Sequence, residues 1–270
     1  MGTFRFDQGA VSIPPTRDIV LQRLPLTDGD RERFVLHRRV TYEIPDGDRN
    51  GPFVYVVPPD ETPFTTDLAS VPQLLTWLVP KSGRHLPAAL IHDGLVRDPD
   101  IDRFDADRIF RDAMGDLGVG LIRRWLMWTA VSLKTIHKRG TTSLRAGALI
   151  TILTVVALGA TATVSLFVER SLLPWMGSRS LVPELVFGLA GAVVIPLALG
   201  VLLWRPIRTA GVIAGVAAAV LLHVMILLVG VYGLYLTLER MGRRTQIIVA
   251  AVVGSGALGL FAYAVLGSAH

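Results

Sequence analysis

AGALITILTVVALGATATVSLFV, residues Ala146–Val168, runs for 23 positions without a charged side chain. An α-helix rises 1.5 Å per residue, so about 20 apolar residues cross a hydrocarbon core, and this stretch is long enough. A soluble core helix of that length would carry a polar face, and this one has none. Three further stretches, Leu181–Trp204, Thr209–Leu238 and Ile247–Leu266, share its length and its near-lack of charge. The chain from 146 onward therefore reads as membrane, and the first 145 residues do not. The expected fold class is an α+β soluble domain, a β-hairpin plus about three helices, followed by an all-α four-helix transmembrane bundle. The expected divisions are 1–140 for the soluble domain, 141–145 for a basic juxtamembrane linker and 146–270 for the bundle.

Charge is split in the same way. Residues 1–118 hold 14 Lys and Arg against 19 Asp and Glu, whereas 119–145 hold six basic residues and no acid. The formal net charge of +5 thus describes a local collar of Arg123, Arg124, Lys134, Lys138, Arg139 and Arg145, and not a basic globular surface. No nucleic-acid partner is expected from that pattern. Basic collars beside apolar helices favour the cytoplasmic face, where anionic lipid attracts them. Met1 to Ser12 has no apolar core of the secretory type, which adds to the expectation of a cytosolic N-terminal domain. The 24 Arg against 3 Lys fit a GC-rich bacterial or phage genome, so the expected location is the bacterial cytoplasmic membrane, multi-pass. The lipid bilayer is the expected partner. Gly211 and Gly215 form a small-xxx-small face suited to helix packing or to a homo-oligomer through the membrane helices. His223 is the one ionisable side chain deep within a span, whereas a transporter would carry several at matched depth. The chain has no Cys, which excludes disulfides, thiolate catalysis and Cys-ligated metal.

In the polar half, Arg33–Ile44 alternates with Phe34, Leu36, Val40, Tyr42 and Ile44 on one face, the period of a half-buried strand. Pro45–Gly51 is rich in turn formers and Phe53–Val57 is a short aromatic and β-branched run, which completes an antiparallel hairpin. Helices are predicted over Ala88–Val96, Arg103–Leu117 and Val119–Lys138, the first starting beyond Pro87. Two roles fit the third helix. Leu121, Ile122, Trp125, Leu126, Thr129 and Leu133 would close the domain core, or Trp125 and Trp128 with their arginines would lie in the lipid interface.

Between strand and helices lie several short motifs. Phe64-Thr65-Thr66-Asp67-Leu68-Ala69-Ser70-Val71-Pro72 is followed by Trp77, Pro80 and Gly83. Ala88-Ala89-Leu90-Ile91-His92-Asp93 comes next, then Arg103-Phe104-Asp105-Ala106-Asp107-Arg108-Ile109-Phe110, and Ala113-Met114. In order and spacing this resembles the phage-associated family called domain of unknown function 1353, over residues of about 30–135. That family's pattern is a Thr-Asp-x-Ala-Ser-x-Pro segment, a His-Asp pair, an Arg-x-x-Ala-Asp-x-x-Phe helix and an Ala-Met step. Two departures stand out. An aromatic-rich segment usually follows the His-Asp pair, where this chain has Gly94-Leu95-Val96, and Trp128 stands where a Tyr is common. Aromatic contacts beside the pair are therefore expected to be lost. The resemblance implies a phage-like domain without an established reaction.

Taken by themselves, Asp67, His92, Asp93 and Asp107 are the imidazole and carboxylate types that hold a divalent metal while leaving positions for water. A metal there would turn bound water into a nucleophile near neutral pH. Without metal, His92 with an Asp partner would act as general base, and Ser70 or Thr66 as the activated hydroxyl. The spacings do not choose between these, because His92 and Asp93 are adjacent and project about 100° apart on a helix. Structural roles compete with all of them. Asp67 and Ser70 would cap a turn, Asp107 would pair with Arg103 or Arg111, and His92 would sit among apolar neighbours. Two functions of different class follow. One is a membrane-anchored metal- or acid/base-dependent hydrolase using His92, Asp93, Asp67 and Ser70, and the other is a non-catalytic membrane-tethered interaction or assembly module. The cofactor is unknown, with a divalent metal suited to the residue types. For an enzyme, the polar atoms of the four metal-type residues should meet within about 6 Å of one point beside a cleft.

Overall fold

The computed structural model describes residues 2–7, 18–25, 32–47, 51–59, 63–68, 79–80, 82–168, 173, 181–242, 247 and 255. Ser70, Trp77 and nearly all of the fourth apolar stretch, Ile247–Leu266, lie outside these, as does the side chain of His223.

Six strands form two three-stranded antiparallel sheets. The first joins β1 (Thr3–Asp7), β4 (Arg39–Gly47) and β5 (Gly51–Val57) in the order β1-β4-β5. The second joins β2 (Leu21–Arg23), β3 (Phe34–Leu36) and β6 (Phe64–Thr66) in the order β2-β3-β6. The expected hairpin is β4–β5, with Val40 opposite Val57, Tyr42 opposite Tyr55, and a register shift between Ile44 and Gly47. The single strand read over Arg33–Ile44 is instead two strands in different sheets, interrupted at His37 and Arg38. The alternation survives the break because Val40 follows Leu36 by four positions, an even step, and Leu36, Val40 and Tyr42 are all buried.

Three helices pack on this layer: α1 (Leu86–Leu95), α2 (Arg103–Asp116) and α3 (Leu121–Arg139), close to the ranges predicted. Pro87 sits in the first turn of α1, where its missing N–H costs nothing. Asp102 caps α2, its carboxylate accepting the N–H of Phe104 at 2.8 Å. Gly94 is where α1 meets the hairpin: a Cβ there would lie 2.6 Å from Val57 and 2.9 Å from Tyr55. The domain core is built from Tyr42, Val57, Leu90, Ile91, Phe110 and Met114.

Beyond them run α4 (Thr142–Val168), α5 (Leu181–Leu203) and α6 (Arg208–Arg240). Thr142–Ser165 and Val186–Leu203 are long and apolar enough to cross a membrane, and Arg208–Leu222 with Val224–Arg240 makes a third span if the two are counted as one. Among the described residues that gives two or three candidate spans, and a four-helix bundle is not established. The residues read as a linker, 141–145, lie at the start of α4. Arg145 donates from Nε to the carbonyl of Ile136 at 3.2 Å and from its terminal nitrogen to that of Lys138 at 3.2 Å, filling acceptors left open at the end of α3.

Residues Met1–Leu222 form one compact unit and His223–His270 a second. Within the first, α3 serves two cores. Met127 faces the domain, whereas Trp128 and Ile136 pack with Leu144, Ala148, Trp204 and Ala210. Leu121 and Ile122, two of the residues expected to close the domain core, are exposed at 65% and 75%. They occupy the first turn of α3, ahead of the contact between that helix and either core. Small residues let the apolar helices approach closely. A Cβ on Gly211 would meet the ring of Trp204, one on Gly200 the backbone of Val212, and one on Gly215 would come within 2.7 Å of Pro196. The buried Trp204 indole N–H donates to Thr151 at 3.0 Å, which itself donates to the Gly147 carbonyl at 2.8 Å, so neither polar group is stranded.

Candidate functional site

Three elements deliver the side chains. β6 carries Thr66, α1 carries His92 and Asp93, and α2 carries Asp107 one turn before Phe110. His92 Nε2 lies 2.8 Å from Asp107 Oδ1, with the imidazole 13% and the carboxylate 1% exposed. An ionised carboxylate only accepts, so this bond places the ring proton on Nε2 and leaves the lone pair on Nδ1. The Phe110 ring stands against the imidazole with centroids 4.9 Å apart. The aromatic contact expected to be missing beside the pair is thus supplied by α2 and not by the residues after Asp93. The other oxygen of Asp107, Oδ2, is buried without a hydrogen-bond partner among the described residues.

Asp93 faces another way, as neighbours on a helix must. Its Oδ2 accepts from Thr66 Oγ1 at 2.6 Å, and Thr66 Oγ1 accepts from the backbone N–H of Leu68 at 2.8 Å. Burial pushes the Asp93 carboxyl above its usual range. The Thr66 hydroxyl, His92 and Arg97 oppose that shift, and Asp67 adds to it. Burial thus favours the protonated form of Asp93. Leu68 has φ +63°, a left-handed conformation uncommon for a bulky residue, and Thr66 fixes it through that N–H bond. Arg97 closes the rim. It donates to the Thr65 carbonyl at 2.6 Å and stands 4.5 Å over the Phe64 ring.

The four residues considered as metal ligands do not gather into one group. His92 pairs with Asp107, Asp93 pairs with Thr66, and Asp67 is felt at Asp93 through its charge. Among the described residues, no three His, Asp or Glu side chains are disposed to hold a metal ion. The competing structural roles also differ from what is seen. Asp107 faces His92 and not an arginine, and Thr66 holds the turn at Leu68. Thr66, considered with Ser70 as an activated hydroxyl, donates to Asp93 and accepts from the Leu68 N–H; Ser70 lies outside the described residues. His85, the residue preceding α1, is buried at 1% exposure. Its pKa is lowered by burial, then by Arg123, against a hydrogen bond with the Pro80 backbone.

His92 and Asp93 both line a cavity of about 360 Å³. Its walls come from α3 through Leu126, Thr129 and Lys134, from α4 through Ile152, and from α6 through Ala217 and Leu221. Sequence reasoning missed this enclosure, along with Leu68 and Arg97. None has a local signal, since each depends on which helices pack together.

The chain is therefore of a definite class: an α+β domain with a buried His–Asp pair, joined to apolar helices of membrane-crossing length. Residues 41–131 match the family model described as protein of unknown function (DUF1353), a stretch that contains Thr66, Asp67, His92, Asp93 and Asp107. No curated protein and no solved structure matches the chain.

Proposed function

We propose that this protein is a membrane-anchored hydrolase working by metal-free acid/base chemistry at His92 and Asp93. The supporting observation is the His92–Asp107 bond at 2.8 Å beside a cavity that both His92 and Asp93 line. Asp107 orients the imidazole and stabilises its protonated form, the part a buried carboxylate plays behind a histidine base. His92 takes a proton from water through Nδ1 while the water oxygen bonds to an acyl or phosphoryl centre. Asp93 gives its proton to the departing oxygen as that bond breaks, and His92 returns a proton to Asp93. Burial first, and then the like charge of Asp67, favour the protonated form of Asp93.

The purified full chain in detergent, offered p-nitrophenyl acyl esters and phosphate esters, tests this. His92→Ala should lower turnover by about 100-fold or more, the usual contribution of a positioned base. Unchanged turnover in that variant would overturn the reading. The non-catalytic module has support of its own in Leu121 and Ile122, exposed beside Arg123 in the first turn of α3, a composition suited to an interface. Lack of turnover by the wild-type chain would favour it.

A further inference from the structure

The cavity at His92 reaches well beyond the polar pair. Its far wall is apolar and belongs to α4, which contains a segment long and apolar enough for a membrane, and to α6, whose two pieces make a further span if counted as one. On α6 the lining residues Ala214, Ala217 and Ala218 are small, which keeps the space open between that helix and α3. Four polar side chains, Arg103, Thr129, Lys134 and Thr135, break the apolar lining away from His92 and Asp93. Arg103 and Lys134 bring positive charge to it. Thr129, only 4% exposed, lines it with a hydroxyl that has no hydrogen-bond partner among the described residues. A buried hydroxyl left unpaired is costly, and such groups call for a ligand or other partner. The volume of about 360 Å³ falls within the usual range for small-molecule sites.

We infer that this cavity binds a membrane lipid with an anionic head group, its acyl chain lying between α3 and α6 and its head group held by Arg103, Lys134 and Thr129. A chain in that position meets the Ala217, Leu221 and Ile152 wall. Among the described lining residues, Arg103 and Lys134 are the cations and Asp93, whose burial favours its neutral form, is the carboxylate. An amphipathic occupant fits both ends, whereas a free anion leaves the apolar wall empty. The site stands whether or not His92 performs chemistry, so its test reads binding and not turnover.

The full chain is reconstituted in phosphatidylcholine vesicles containing a trace of photo-crosslinkable phosphatidylglycerol or, separately, phosphatidylcholine carrying the same acyl-chain label. The phosphatidylglycerol probe should mark residues 126–135 and 214–221 about tenfold more than the zwitterionic probe, the preference two nearby cations confer. Arg103→Gln with Lys134→Gln should erase that preference. Ala217→Phe should block labelling of 126–135 by filling the cavity, and Ala130→Trp fills it from α3 should the first variant fail to fold. Millimolar inorganic phosphate should not compete, and full competition would identify a soluble anion as the occupant and overturn the proposal. Equal labelling by both probes, or unchanged labelling in both filled variants, would overturn it as well. Selective labelling of a wild-type chain that shows no turnover would overturn only the hydrolase reading.

Discussion

The His92–Asp107 pair sets the local energetics. Removing one partner of a buried hydrogen bond leaves the other unsatisfied, so His92→Ala should destabilise by about 1–3 kcal/mol. Adding Asp107→Ala should recover part of that loss, with a coupling of about 1–3 kcal/mol in a double-variant cycle read by denaturation in detergent. Strict additivity would mean that the two side chains act independently. Acidity gives a second test. His85 in the folded chain resists a proton that it takes up near 6.5 when unfolded, so unfolding binds protons as pH falls through that value. Stability should drop on acidification from about pH 7 to 5, and His85→Gln should flatten the curve. Asp93 has the opposite slope: its raised pKa confers stability that is full below 3.8 and is lost as pH rises through the folded value. Asp93→Asn, able to accept from Thr66 still, should therefore stabilise the neutral-pH protein by on the order of 1 kcal/mol while abolishing proton donation.

At the scale of elements, glycines separate tight joints from open ones. Gly200→Ala and Gly211→Ala would drive a methyl group into Val212 backbone and the Trp204 ring, neither of which is a flexible side-chain end. Both should lower the melting temperature clearly. Gly230→Ala and Gly233→Ala meet nothing within 4 Å, and each should be neutral or stabilise α6 by up to about 1 kcal/mol. If all four behave alike, the packing around Trp204 is wrong. The same contrast explains what could be read beforehand. The three domain helices and the hairpin were legible because their apolar positions repeat at 3.6 or 2 residues. β1 went unread, although its alternation of Phe4 and Phe6 with Thr3, Arg5 and Asp7 was legible. β6 was not, because a three-residue strand such as Phe64–Thr66 has no measurable period. Motif order picked out His92 and Asp107, but their contact depends on how α1 and α2 cross. No spacing rule could show that Asp93 would turn to Thr66.

On the scale of the whole chain, the division near residue 140 is not a division in packing. Trp128 and Ile136 of α3 are buried together with Leu144, Ala148 and Trp204. A fragment ending at Arg139 uncovers that face, and it should be recovered only with detergent, whereas one spanning Met1–Leu222 should keep a cooperative melting transition. A soluble, monomeric 1–139 fragment would show that α3 belongs to the domain alone. The Arg145 bonds to Ile136 and Lys138 carry this further. Only Gly140 and Thr141 separate α3 from α4, and Arg145 bridges them, so the joint is a stiff elbow without slack. Any change in the angle at which α4 stands in a bilayer must therefore be taken up as rotation of α3. That helix forms a wall of the His92 cavity, so were α4 to cross a bilayer, its tilt would be felt at the site.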